Sequence, residues 1–414
     1  MISLYNLSIR GLQFIFFIGR WFNTKLNAGY KGRKAWRQYL SSFKSNNTGK
    51  TIWIHCASLG EFEMARPVID QVKDFYKEEV AILITFFSPS GYELRKNYKQ
   101  VEGVMYLPLD TPLNAKDFTL ILNPDVAIFI KYEFWLNYLN ALKISGTKTI
   151  LVNGLFRKDQ SFFKWWGKPF RDALLSFDHV FLQNKESKQL LETIGMDRIT
   201  VTGDLRYDRV MTIAQASRTY PELEEFRKDH FVLIGGSTWY EEEKILRKTL
   251  DFNKGSIRLI IAPHDISEKH LGRIETLFSG YQLKRFSAMQ PGNSPQIVLV
   301  DTIGHLSSIY KYGDAALVGG GFTGALHNIL EPGAFGIPVF FGAMHFKFPE
   351  AIYFMETGIG FPVYSSEKFT ALITTYINML EKLQETKNNA ARVFKANSGG
   401  TDQVFYKIKG YLSK

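Results

Sequence analysis

Short runs of apolar and β-branched residues, each followed by a longer amphipathic stretch, recur along the whole chain and constrain its fold more than any other feature. The first series is 51–58 (TIWIHCAS), 80–87, 104–109, 125–130, 148–153, 179–184 and 199–204. Helical patterns intervene, among them 61–76 and 185–194. A polar stretch at 215–229 breaks the rhythm, which restarts at 230–237, 257–264, 296–302, 315–321 and 338–343. Strands alternating with helices predict parallel sheets built from right-handed β-α-β units. Two such series predict an α/β chain of two Rossmann-like domains facing a central cleft. The expected bounds are 46–215 and 225–390, with a division near 210–230. Residues 1–45 form a separate leading segment. The end of the chain, helical from about 366, is expected to return at 391–414 onto the first domain.

Open α/β sheets bind ligands beyond the carboxyl ends of their strands, and the unusual residues of this chain cluster there. In HCASLGEFEMARPV, Gly60 permits a tight turn or close approach, and Glu61 opens a helical pattern. Ser58 and Glu61 fit a capping box; Glu61 equally fits a general base. A helix N-terminus favours the carboxylate and weakens such a base, so burial by bound substrate is expected to raise its pKa. In FFSPSGYE, Ser88, Ser90 and Gly91 offer hydroxyls and backbone donors to a phosphate or sugar, or simply turn chemistry. Glu133 follows the strand 125–130 and stands beside Trp135, as a sugar contact or a rim residue.

In the second series, IGGSTWYEEE passes from a strand through Gly235 and Gly236 to Ser237 and Thr238 and then into a helix. The expectation is a single-phosphate site at that helix start, with Ser237 or Thr238 as a plain N-cap the alternative. The stretch GGGFTGALHNILEPGAFGIPVFFG (319–342) carries Gly320 and Gly321 at a strand end, expected to let backbone approach a nucleotide. His327 and Asn328 are expected to open a helix, and Glu331 three residues beyond Asn328 fits either a capping box or a carboxylate gripping a ribose diol. Gly336 and Pro338 close that helix. The glycine spacings match neither a Walker A loop nor a dinucleotide fingerprint. No Asp-x-Asp pair and no close histidine pairing suggests a metal, so none is expected, and no cofactor.

A formal net charge of +11 on 414 residues favours an anionic partner. The opening MISLYNLSIRGLQFIFFIGRWF is apolar and aromatic but interrupted by Arg10 and Arg20, and a basic run from Lys25 to Lys44 follows. That pattern suits a segment lying in the headgroup region of an anionic membrane surface better than one spanning it. A helix packed on the protein's own surface is the alternative. The one cysteine, Cys56, excludes an intrachain disulfide.

Taken in order, SLGE with ARP, SPSG, YEFW, GDLRYD, GGST and the 319–342 stretch resemble the Kdo transferases, over nearly the whole chain. That family attaches 3-deoxy-D-manno-octulosonic acid (Kdo) to the lipid A precursor of Gram-negative bacteria. The resemblance implies a GT-B architecture, a CMP-Kdo donor and an inverting, metal-free transfer. It also implies the cytoplasmic face of the inner membrane, with peripheral or monotopic attachment and no nucleic-acid partner. Glu61 falls on the family's base, Glu331 on the carboxylate that holds the ribose, and Gly236, Ser237, Thr238, Gly320 and Gly321 on the donor-binding half. The chain departs from the pattern at Lys131, where the family carries Glu, and at His264, where it carries Arg. Two other classes remain: another GT-B enzyme of nucleotide sugars, such as a UDP-sugar transferase or 2-epimerase, and a basic peripheral membrane or nucleic-acid-binding protein.

Overall fold

The structure, a computed structural model, describes residues 2–413. The chain divides into two compact units, Met1–Asp208 with Asn397–Lys414, and Arg209–Ala396. Each holds one seven-stranded sheet.

In the first unit the strands are β1 Lys50–Cys56, β2 Val80–Phe86, β3 Gly103–Tyr106, β4 Val126–Ile130, β5 Lys148–Gly154, β6 His179–Leu182 and β7 Ile199–Val201. Their order is β3-β2-β1-β4-β5-β6-β7, and the paired strands are parallel. Helices cover both faces, so the strands are apolar on both sides rather than alternating. Ile52, Ile54, Ile82 and Ile84 pack under helix Leu59–Tyr76 and helix Gly400–Leu412, which contributes Val404, Phe405, Ile408 and Leu412. Trp53, Leu83, Phe129 and Leu151 point to the opposite face, under Trp36, Leu40, Phe43, Phe118 and Tyr138. Residues next to each other on a strand thus feed two separate cores, as the two-residue repeat of a strand dictates.

The second unit has β8 Phe231–Thr238, β9 Ile257–Pro263, β10 Leu283–Arg285, β11 Ile297–Leu299, β12 Ala315–Val318, β13 Val339–Gly342 and β14 Gly360–Val363. The order is β10-β11-β9-β8-β12-β13-β14, again parallel. The two edge strands, β10 and β14, have no counterpart in the sequence analysis. Each is three or four residues long, and they carry Lys284 and Arg285, or Pro362. Short, charged or proline-bearing edges resist pairing with other chains and leave little apolar pattern to read.

Ahead of β1 lie helices Ile2–Gly19, Thr24–Gly32 and Trp36–Asn46. The first is 18 residues long, apolar enough by length and composition to cross a membrane, and mostly uncovered by protein. Ile9 and Phe16 are its buried residues, packed on Leu109, while the Tyr5 hydroxyl donates to Asp110 at 2.6 Å. Leu4, Leu7, Phe14, Ile15, Trp21 and Phe22 face outward. Arg33 fastens this region: its guanidinium donates to the carbonyls of Gly29, Phe87 and Leu107 at 2.6–2.9 Å and lies against the rings of Phe16, Phe87 and Tyr106.

Candidate active site

In the first unit β1 and β4 lie side by side although β2 and β3 fall between them in the chain. The chain leaves β1 toward one side of the sheet and β4 toward the other. Loops diverging from such a reversal point open a crevice at the carboxyl end of the sheet. β1 delivers Ser58, Gly60 and Glu61; β4 delivers Lys131, Tyr132 and Glu133.

Helix Leu59–Tyr76 starts two residues before the expected 61, which puts Glu61 in its first turn. Only half of the capping box forms. The Glu61 carboxylate accepts from the backbone N–H groups of Ala57 and Ser58, but the Ser58 hydroxyl makes no cap bond. Those bonds and the nearby Lys131 ammonium favour the charged form; burial and then the Glu133 carboxylate oppose it more strongly. The net effect pushes the Glu61 pKa up to about 7. The expectation that bound substrate must supply this burial is therefore corrected: the protein's own packing and a second carboxylate already do so.

Glu133 ends a buried polar chain that the sequence did not disclose. Its Oε2 accepts from the Trp135 indole at 2.8 Å and faces His55 Nε2 at 3.3 Å. His55 Nδ1 lies 2.9 Å from the Thr85 hydroxyl, which accepts from the Trp53 indole at 2.8 Å. The Trp135 indole also lies 3.0 Å from His55 Nε2, so a tautomer with the imidazole proton on Nε2, toward Glu133, leaves the indole donating to Glu133 alone while Thr85 donates to Nδ1. His55 and Thr85 occupy adjacent strands in direct register, β1 and β2. Each sits inside an apolar run, and a buried polar residue there was the available signal.

Lys131 adopts a left-handed backbone, φ 68°, rare for a residue with a side chain. It places a cation near Glu61. Ser88 caps the helix Pro89–Arg95 by accepting from Ser90 N–H, and the two hydroxyls are 2.9 Å apart. Ser88 N–H donates to Ala57 O at 2.8 Å, which joins this loop to the one carrying Glu61. Gly91 serves packing: a Cβ there would lie 2.4 Å from the Phe86 ring. At Gly60 a Cβ would meet only Ser58 Oγ, at 4.0 Å.

In the second unit the order reverses between β8 and β12, which pair directly. The helix after β8 does not begin at Ser237 or Thr238. Both remain in the strand, Trp239 is the N-cap, and helix Tyr240–Phe252 follows. The expected phosphate site at a Ser237–Thr238 helix start is corrected accordingly. Buried Thr238 turns its hydroxyl to Glu243 at 3.3 Å, and Glu242 accepts from the N–H groups of Trp239 (3.1 Å) and Gly320 (2.9 Å). Burial raises the pKa of Glu242 and of Glu243.

The glycines of 319–321 answer to neighbouring backbone. A Cβ on Gly319 would lie 2.0 Å from Ser237 O, one on Gly320 2.2 Å from Ala325 O, and one on Gly321 2.3 Å from Gly342 N. Close approach is real, but the approaching group is the protein's own chain. Ser237 takes φ 51°, and at Gly236 a Cβ would meet the buried Tyr310 hydroxyl at 1.9 Å. His327 and Asn328 precede the helix rather than open it; the helix is Leu330–Ala334. Asn328 accepts from Leu330 N–H at 3.1 Å and donates to Glu331 at 3.0 Å, so Glu331 is oriented by a side-chain amide. His264, after β9, stacks on His327 with centroids 4.5 Å apart and against Trp239 at 4.7 Å. Burial and then His264 lower the His327 pKa. The ends of β8, β9 and β12 thus bring together Ser237, Trp239, His264, Gly320 and His327.

The GDLRYD motif is a fastening. Asp204 accepts two bonds from the Arg206 guanidinium and one from its backbone N–H, and Asp208 accepts from Gly399 N–H, Thr401 N–H and the Thr401 hydroxyl at 2.6–2.7 Å. These bonds fix the start of helix Gly400–Leu412 within the first unit. Among the described residues no group of three or more His, Cys, Asp or Glu side chains is placed to hold a metal ion.

Residues 34–209 match the family model described as 3-deoxy-D-manno-octulosonic-acid transferase (kdotransferase). The 3-deoxy-D-manno-octulosonic acid transferase of Aquifex aeolicus is 29% identical over 356 residues, covering 85% of this chain and 92% of that protein. The enzyme of the same name from Haemophilus influenzae is 25% identical, covering 93% and 92%. Among solved structures, a Neisseria meningitidis UDP-GlcNAc 2-epimerase bound to UDP-GlcNAc superposes with a TM-score of 0.59 over 87% of this chain and 100% of that one. At 14% identity it speaks to the fold alone, an α/β fold of the GT-B type. The matched model and both relatives are 3-deoxy-D-manno-octulosonic acid transferases, and the chain is similar to that family of glycosyltransferases over most of its length.

Proposed function

We propose that the protein transfers Kdo from CMP-Kdo to the lipid A precursor with inversion at the anomeric carbon, as a step of lipopolysaccharide synthesis. The observation that carries the reading is Glu61, a partly buried carboxylate with a pKa of about 7 at the reversal point of the first sheet. Such a group is matched to general-base work near neutral pH. An acceptor hydroxyl gives its proton to Glu61 as its oxygen bonds to the anomeric carbon of Kdo; the bond to CMP breaks on the opposite face, and its electron pair leaves with the phosphate. Ser58, Ser88, Ser90 and Glu133 line the acceptor side. His264, His327 and the backbone at Ser237 receive the donor's anionic groups, and Glu331, steered by Asn328, takes the ribose hydroxyls. Thr238, engaged with Glu243, positions the strand end.

Mass spectrometry of the lipid A precursor after incubation with CMP-Kdo tests this reading. The product should gain whole Kdo units. A precursor unchanged with CMP-Kdo but glycosylated from a UDP-sugar would overturn the donor assignment. Because the Glu133 charge helps raise the Glu61 pKa, Glu133→Gln should move the acid limb of the kcat/KM profile from about pH 7 to lower pH. An unmoved limb would separate Glu61 from that titration.

The surface partner is proposed to be the anionic cytoplasmic face of the inner membrane, with peripheral or monotopic attachment. The outward face of helix Ile2–Gly19 supports it, together with Trp165, which is 90% exposed, and Trp166, in a segment flanked by Lys164 and Lys168. The Tyr5 ring contacts Phe170 edge-on at 6.2 Å, so helix and loop are neighbours. Tryptophan beside lysine favours the headgroup zone. Replacing both Trp165 and Trp166 by Ala should lower partition onto phosphatidylglycerol vesicles about tenfold in a flotation assay. Unchanged flotation would remove the loop from the membrane contact.

A further inference from the structure

A cavity of about 510 Å³ opens between helix Ile2–Gly19, the following helices, the loop at Pro108 and Leu109, and Asn114 in the first turn of helix Pro112–Leu122. Phe14, Phe17 and Trp36 form apolar walls, while Arg10 and Lys34 stand in its lining. Neither cation has a carboxylate within ion-pair distance among the described residues, and both are exposed. Lys34 Nζ rests 5.0 Å from the Tyr30 ring, which also lines the cavity. The volume lies within the range of about 300–1,000 Å³ usual for small-ligand sites. Aromatic walls with unpaired cations suit a ligand that is both apolar and anionic.

The cavity is joined to the proposed acceptor site by a continuous aromatic wall. Phe16, in its lining, meets Phe87 edge-on at 6.2 Å; Phe87 lies 5.0 Å from Trp135, whose indole donates to Glu133. We propose that this cavity receives an acyl chain of the phosphorylated lipid acceptor, with a phosphate of the same molecule held at Arg10 and Lys34. The inference rests on the transfer reaction proposed above and adds the place where the lipid part of the acceptor sits. Charge complementarity selects a phosphorylated lipid, and continuity with Glu133 selects the acceptor over bulk phospholipid.

Gln13 lines the same cavity, so Gln13→Trp fills it while leaving both cations and Glu61 in the sequence. KM should rise about tenfold for the acylated lipid A precursor, while KM for its deacylated form and both kcat values stay unchanged. Equal effects on both acceptors, or none on either, overturn the assignment. A photoreactive diazirine on an acyl chain of the precursor supplies a second measurement on the unaltered protein. Labelling of peptides within 10–17 or 30–36 supports the site; labelling elsewhere, or there only by a diazirine phospholipid, overturns it. A wild-type protein that transfers no Kdo to either acceptor would sink the proposed reaction instead, and the two failures are thereby distinct.

Discussion

Glu61→Gln should lower kcat for Kdo transfer by roughly 10²–10⁴-fold while making the protein more stable at pH 8. The amide keeps an oxygen that can accept from Ala57 N–H, but it cannot take a proton from the acceptor. The stability change follows from the raised pKa. With Glu61 ionising at about 7 in the folded chain and at about 4.5 unfolded, its contribution to stability is complete below pH 4.5 and is lost as pH rises through 7. Wild type and variant should therefore unfold alike at pH 4. At pH 8 the variant should gain about 1–2 kcal/mol, a figure reduced for the partial exposure of the carboxylate. Single-turnover kinetics and urea unfolding at the two pH values measure both halves. Near-native turnover would dismiss Glu61 as the base, and equal stability at pH 8 would dismiss its burial as the origin of the raised pKa.

Arg33→Met should destabilise the first unit by about 3–5 kcal/mol. Methionine fills similar space yet leaves the Gly29, Phe87 and Leu107 carbonyls without their shared donor. It also removes the cation from the Phe16, Phe87 and Tyr106 rings. Phe16 belongs to the first helix and Gly29 to the second, so the loss should fall first on the docking of both. The denaturant midpoint and the rate of tryptic cleavage at Lys25 and Lys31 check this. A midpoint within about 0.5 kcal/mol of wild type would show that the guanidinium is not what fastens these helices.

The central strands were legible because helices cover both sheet faces, so β4 reads as an unbroken apolar run and β2 as one interrupted only at Thr85. The edges β10 and β14 were not, since an edge needs less apolar surface and gains from charge or proline. Glu61, Glu133 and Glu331 stood out as carboxylates at strand ends. His55 and Thr85 did not, because polar side chains inside apolar strands disclose no partner until the strands are aligned. The helix start after β8 was misread because Ser and Thr are the common N-caps, whereas here Trp239 is the N-cap and Glu242 reaches back to its backbone N–H. The glycines at 319–321 were expected to let backbone approach a nucleotide; what they meet is the protein's own chain, because local sequence cannot say which group approaches.

By itself the sequence determined the strand-helix rhythm, the parallel sheets and the ordered motifs that carry the family resemblance. These are local properties, set by side-chain periodicity and turn chemistry. Tertiary structure alone decided that β1 would lie against β4 and β8 against β12. Hydrogen bonding between strands distant in sequence puts Glu133 close enough to Glu61 to raise its pKa, and lays His264 on His327. Proximity of charges and removal of water act through space, so the chemistry of these groups exists only once the sheets have formed.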